Sequence, residues 1–182
     1  MLDVVIKGGM VVDGTGSPPT RTDIGINGEK VDIIGDLSLA EAHRIIDATG
    51  LTVSPGFIDS HVHSDAALLV DPQHSASLRQ GVTTEILGQD GLSYAPLSTK
   101  NYRIYRRYLA GILGTPPEHL DMSNVSSFRS HYHEKTAVNT AYLVAHGAVR
   151  LETLGFQDVP LTGNYLKQAQ RLIQEGIEQG AV

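Results

Sequence analysis

The sequence predicts an α/β fold with a parallel sheet, entered through a small antiparallel β-region, and three observations carry that expectation. Residues 1–54 are short β-patterned runs cut by glycine and asparagine turns. After Pro55, strand-like runs near Phe57, Thr84 and Leu143 alternate with helical stretches, the pattern of parallel strands joined by crossover helices. All three runs finish in polar groups: His61 and His63, Gln89-Asp90, and His146. In a (β/α) barrel that C-terminal edge is where chemistry is placed. The expected division is a β-region over 1–54 and the first part of a barrel over 55–182.

Leu2 to Ile6 reads as a strand, Gly8-Gly9 as a turn and Met10 to Val12 as a second strand closed by Asp13-Gly14-Thr15-Gly16. Thr22 to Ile26 and Lys30 to Ile34 flank Asn27-Gly28, a two-residue hairpin signal. His43 to Asp47 is one more extended segment. Nothing here looks catalytic, so the region is read as a packing module.

Within Leu51 to Ser64, LTVSPGFIDSHVHS, the apolar run Phe57-Ile58 reads as a buried strand ending in Asp59. A helix is expected over Pro72 to Gln80, anchored by Leu78 and stopped by Gly81, before a strand from Val82 to Leu87. Asn101 to Leu113 is helical, with Ile104, Tyr105, Tyr108, Leu109 and Ile112 as its apolar stripe. A shorter helix is expected over Ser126 to Lys135, and a buried strand over Val138 to Ala145. Thr162 or Asn164 can cap a final helix through Glu178, packed by Leu166, Ala169, Ile173 and Ile177.

Composition removes several classes of function. There is no cysteine, hence no disulfide framework, thiolate ligand or thiol nucleophile, and any metal must be held by nitrogen and oxygen. Fourteen basic against twenty acidic residues give a formal charge of -6, which disfavours a nucleic-acid partner. The Arg103, Arg106 and Arg107 cluster reads as the solvated face of a helix. No run approaches a membrane span, and Asp3 and Lys7 interrupt what a signal peptide would need to be apolar. The expectation is a cytoplasmic protein.

The candidate site rests on local conformation. In an extended segment, residues two apart point the same way, so His61 and His63 can aim two imidazoles at one point. Neutral imidazole is a good ligand for zinc and its neighbours. Asp90, between Gly88 and Gly91, either adds a carboxylate beside them or is a turn aspartate. His146 either lines the pocket or is an ordinary strand-end histidine. Glu85 inside the second strand is a secondary candidate, costly if buried without a partner. The second pair, His131 and His133, falls in a helical stretch where residues two apart do not share a face, and is set aside.

The segments VVIKGGMVVDGTG, PGFIDSHVHSD and GVTTEILGQDG together resemble the start of an amidohydrolase-superfamily enzyme, in the D-aminoacylase (N-acyl-D-amino-acid deacylase) branch. The resemblance implies an incomplete (β/α)8 TIM-like barrel preceded by part of a small β-sandwich. It places His61 and His63 as paired ligands of a divalent metal, most simply zinc, at the end of the first barrel strand. Asp90 stands where D-aminoacylases carry the metal-binding cysteine of GNCG. HGAVR, from His146, resembles the segment after their third strand.

The implied reaction is hydrolysis of the amide bond of a small N-acyl-D-amino acid, with no nucleic-acid or membrane partner. A full barrel takes about 250 residues, so the chain is expected to be a fragment, inactive alone. The catalytic aspartate is expected beyond Val182, with the remainder of a parent chain or a second copy covering the open strands. The alternatives are a cyclic-amide hydrolase similar to dihydroorotase or hydantoinase, and a non-catalytic metal-binding or assembly protein.

Overall fold

The computed structural model describes residues 1–182, in two compact units, Met1–Pro55 and Gly56–Val182. The first is a single five-stranded sheet. Its spine is β1 (Leu2–Val11), flanked by β2 (Thr20–Asn27) and then β3 (Lys30–Gly35) on one side. β4 (Ala42–Asp47) and β5 (Thr52–Val53) pair with β1 on the other. Only β1–β2 and β2–β3 are antiparallel; β4 and β5 run parallel to β1, so the sheet is mixed rather than wholly antiparallel.

The expected turn at Gly8-Gly9 is instead a bulge within one continuous strand, where the β1–β2 register shifts between Ile6 and Gly9. Gly8 takes φ +72° there and its N–H donates to Asp23 Oδ1 at 2.8 Å. The other Asp23 oxygen accepts from Leu37 N–H at 3.0 Å, so one carboxylate replaces ladder bonds that the bulge removes. The hairpin turn falls one residue later than expected, on Gly28-Glu29, because Asn27 still pairs with Lys30. Val5, Ile24, Leu37 and Ala48 form the small buried core, while Val31, Ile33, Ile34 and Ile45 stay exposed.

The second unit is α/β. Strands β6 (Phe57–Asp59), β7 (Val82–Leu87) and β8 (Asn139–Tyr142) lie parallel in that order, as the alternating pattern predicts. The connection from β6 to β7 carries only two single turns, α1 (Ala67–Val70) and α2 (Ser75–Leu78), rather than one helix over Pro72 to Gln80. Between β7 and β8 come α3 (Thr99–Tyr108), α4 (Ala110–Leu113) and α5 (Val125–Ser130), the last capped by Asn124 accepting from Ser127 N–H. After β8 follow α6 (His146–Leu154) and α7 (Gly163–Glu178). No helix is long and apolar enough to cross a membrane.

Packing corrects three apolar readings. On α3 and α4 the buried line is Tyr102, Tyr105, Leu109 and Leu113, whereas Ile104, Tyr108 and Ile112 face outward. Tyr105 and Leu109 of the expected stripe are buried, and the line runs through Tyr102 and Leu113 instead of Ile104, Tyr108 and Ile112, since tyrosine satisfies its hydroxyl while buried. Tyr102 donates to Pro117 O at 2.6 Å and Tyr142 to Ala95 O at 2.6 Å. On α7, Ala169 and Gly176 are the buried positions, while Leu166 and Ile177 are exposed, since small residues let the helix approach Val144 and Val125. Finally, Phe57 and Ile58 are 60% and 64% exposed: β6 is an edge strand, not a buried one. The core itself is aromatic, with Phe128 against Tyr142 at 4.4 Å and Tyr132 at 4.9 Å between centroids. Each such buried ring contributes about 1.5–3 kcal/mol.

Candidate metal centre

The three polar strand ends meet at one edge because the strands are parallel and in close register. Asp59 pairs with Glu85 and Glu85 with Thr140, so β6, β7 and β8 finish nearly level. Beyond β6 the chain bends sharply, with His61 N–H donating to Asp59 Oδ1 at 3.2 Å. His61 and His63 follow with their rings edge to face at 5.7 Å.

Beyond β7 the chain makes a tight left-handed turn: Gly88 at φ +84°, Asp90 at +56° and Gly91 at +73°. Only glycine, and aspartate or asparagine among the rest, enter that region at small cost. The turn is held to the β6 loop by Gln89, whose side-chain amide donates to Ser60 O at 2.6 Å.

Asp90 Oδ2 lies 3.2 Å from His61 Nε2 and 3.3 Å from His63 Nε2, and the ligand atoms of all three residues fall within 4.8 Å of one another. In a tetrahedral site with bonds of about 2.0–2.1 Å, neighbouring ligand atoms stand about 3.3–3.4 Å apart. The two Asp90–imidazole separations therefore match the spacing a small divalent ion needs, and the turn brings the Asp90 carboxylate beside both rings. His61 and Asp90 are more than half exposed while His63 is 28% exposed, which leaves the outer side of the trio open to a ligand. His63 Nδ1 is buried without a hydrogen-bond partner, so the ring's free nitrogen for chemistry is Nε2. An all-nitrogen-and-oxygen donor set of this kind suits zinc and harder divalent ions.

His146 does not join this trio. It is exposed, opens α6, and its Cβ packs beside Gly91. His131 binds Asp121 O through Nε2 at 2.8 Å, and His133 is 80% exposed, so the second histidine pair is no chelate. Glu85 is fully buried and paired: Ser64 Oγ donates to one carboxylate oxygen and His74 Nδ1 lies 2.9 Å from the other.

Sequence reasoning missed this support, and Asp65 with it. Asp65 is buried; Ser93 Oγ donates to its Oδ1 at 2.5 Å and Tyr132 donates to its carbonyl at 2.7 Å. Burial pushes its carboxyl up to about 6, against the hydrogen bond from Ser93, backbone amides and the nearby His63 imidazole. The one signal in the sequence was the run of polar residues, Ser64 and Asp65, directly after the second histidine.

Residues 44–152 match the amidohydrolase family. The chain belongs to that family. It is 35% identical over 181 residues to the N-acyl-D-glutamate deacylase of Alcaligenes xylosoxydans xylosoxydans, covering 100% of this chain and 36% of that enzyme. A crystal structure of N-acyl-D-glutamate deacylase from Bordetella bronchiseptica, complexed with zinc and a phosphonate mimic of the tetrahedral intermediate, superposes with a TM-score of 0.86. Identity there is 31%, over 100% of this chain and 37% of that one. A D-aminoacylase structure concerned with its binuclear metal centre gives a TM-score of 0.87 at 31% identity, over 100% of this chain and 38% of that one. The amidohydrolase chain thus spans little more than a third of the length of the relatives it matches.

Proposed function

We propose that these residues form the metal-binding part of an enzyme that hydrolyses the amide bond of N-acyl-D-amino acids. His61, His63 and Asp90 would hold a divalent ion, zinc first. The observation that carries this is the convergence of three donors on one point in a chain 35% identical to an N-acyl-D-glutamate deacylase. A bound ion would supply a water of lowered pKa and polarise the substrate carbonyl. The chain's own part is positional. The HxH segment presents two Nε2 atoms, the left-handed turn sets the carboxylate across from them, and the open side admits substrate beside His146.

The fold reading goes with this one. We assign 1–54 to one layer of a small sandwich and 55–182 to the first strands of a (β/α)8 barrel. The exposed Val31, Ile33 and Ile34 on one unit, and Phe57 and Ile58 on the other, are apolar surfaces that such layers would cover. The proton-moving aspartate is assigned to the part of the relatives' length that these residues do not span. The partner is a small N-acyl amino acid in a cytoplasmic setting, rather than nucleic acid, in keeping with the charge of -6.

The test uses the full-length protein loaded with zinc. Release of free amino acid from N-acetyl-D-glutamate or another N-acyl-D-amino acid is expected, without turnover of dihydroorotate or hydantoin. Turnover of the cyclic amides alone would replace the proposal with the cyclic-amide reading. No zinc binding and no turnover of either class would remove the hydrolase reading.

A further inference from the structure

The β6–β7 ladder ends at Asp59 and Glu85, but β7 runs on, and its last residues, Ile86 and Leu87, pair with β8. The ladder therefore does not hold the two ligand-bearing segments together where they leave the sheet. Contact across that gap resumes in the loops, and it resumes in step. The Gln89 amide meets Ser60 O, and Asp90 meets His61, each pair 29 residues apart in the chain.

Gln89 is half-buried and makes two bonds through one atom: Nε2 donates to Ser60 O at 2.6 Å and to Ile86 O at 3.3 Å. Both partners are carbonyl oxygens, which only accept, so the amide nitrogen must be the atom that faces them. The side chain thus spans from its own strand, at Ile86, to the residue before His61, and it stands one residue before Asp90. His61 and Asp90 are themselves more than half exposed, so packing does little to hold either. Three donors on two segments bind an ion tightly when the segments already rest at its spacing, because ordering them on binding subtracts from the affinity.

On the metal-site reading above, we infer that Gln89 is a positioning residue of the centre. Its amide latches the β7 turn onto the β6 loop and sets the separation of Asp90 from His61. It acts through the backbone, beside each ligand, and neither ligates the ion nor touches substrate.

The test is Gln89→Met, which keeps the length of the side chain and removes both donors, in the full-length protein. Gln80→Met is the control, because Gln80 also gives an amide N–H to a carbonyl, Ala76 O at 3.1 Å, but at the opposite end of β7. Zinc affinity is measured by chelator competition, and ligand geometry by the visible spectrum of the cobalt(II)-loaded protein. Hydrogen exchange is followed in the metal-free protein at the His61 and Leu92 amides, which bond to Asp59 Oδ1 and Gln89 O. Q89M should bind zinc about 10–100-fold more weakly, shift the cobalt bands and exchange faster at both amides. Q80M should match wild type in all three.

Wild-type zinc affinity in folded Q89M would overturn the assignment. So would an equal loss in Q80M, which would make the effect one of general stability. Should Q89M not fold, Gln89→Asn decides: it keeps the amide but is one methylene too short to reach both carbonyls, and unchanged zinc affinity there overturns the assignment. Failure of the wild-type protein to bind zinc would instead sink the metal-site reading. The latch is then judged by exchange alone, and unchanged exchange in Q89M overturns it.

Discussion

Gly88→Ala is the substitution that most directly tests how the turn builds the centre. Gly88 follows β7 directly, at φ +84°, ψ +17°, and a Cβ there would overlap the Leu143 carbonyl and crowd Tyr142 Cε2 at 3.2 Å. Two separate costs follow. The left-handed conformation costs an L-residue about 1–2 kcal/mol, offset by about 0.4–1 kcal/mol from the stiffer unfolded chain. Forcing the carbonyl of the neighbouring strand aside adds about 1–3 kcal/mol, as overpacking does.

The sum is about 1–5 kcal/mol, centred near 3. Gly163→Ala separates the two parts, because Gly163 also has positive φ, at +56°, but has open space around it. It should cost about 1 kcal/mol. Urea unfolding at 25 °C of wild type and both variants gives the two numbers, and chelator competition gives zinc affinity in parallel. Any displacement of Gly88 is passed within two residues to Asp90, so G88A should weaken zinc binding while G163A leaves it unchanged. If G88A costs no more than G163A, or binds zinc like wild type, the turn does not set the carboxylate and the reasoning fails.

The remaining predictions concern the ligands and their surroundings. His61→Ala and His63→Ala should each empty the zinc site by atomic emission. They should also abolish the stabilisation of about 2.7 kcal/mol expected at zinc a hundredfold above its Kd; full occupancy in either variant would contradict the assignment. Asp90→Asn should weaken zinc, whereas Asp90→Cys should move preference toward softer ions, seen by competing zinc against manganese.

Glu85→Gln leaves one of its two partners, the buried Ser64 or the partly buried His74, facing an amide NH₂, and should cost about 1–3 kcal/mol in urea unfolding. A cost below about 0.5 kcal/mol would show the network to be dispensable. Asp121 is held below the usual carboxylate range chiefly by the Ser127 hydroxyl, then by Ser123. It therefore contributes stability above pH 3.8 that is lost as pH falls through its lower folded value, and Asp121→Asn should erase that difference in an acid titration of unfolding.

What could be read from the sequence, and what could not, follows from how far apart the interacting residues lie in the chain. The parallel sheet was legible because strand runs and crossovers are local patterns. That His61 and His63 lie near each other was expected from period-two geometry, but both stand beyond β6, after a bend at Ser60 and His61 that the pattern did not announce. Asp90 was half legible. Glycines on either side announce a turn, but that the turn delivers Oδ2 to 3.2 Å from His61 depends on the register of β6 on β7, set 29 residues away.

The failures are of the same kind. Gly8-Gly9 looks like a turn until Asp23 supplies the bonds that keep β1 running through it as a bulge. Of the expected α3 stripe, Tyr105 and Leu109 are buried, but Tyr102 joins them in place of Ile104 and Tyr108 because Pro117 O, 15 residues away, receives its hydroxyl. Glu85 and Asp65 are the sharpest case. A carboxylate is costly in the interior unless distant donors meet it. Ser64 and His74, 21 and 11 residues from Glu85, and Ser93, 28 residues from Asp65, are those donors. A buried carboxylate beneath the His61–His63 segment is thus invisible to pattern reading for the same physical reason that it is informative in the fold: it persists only where several segments were placed to pair with it.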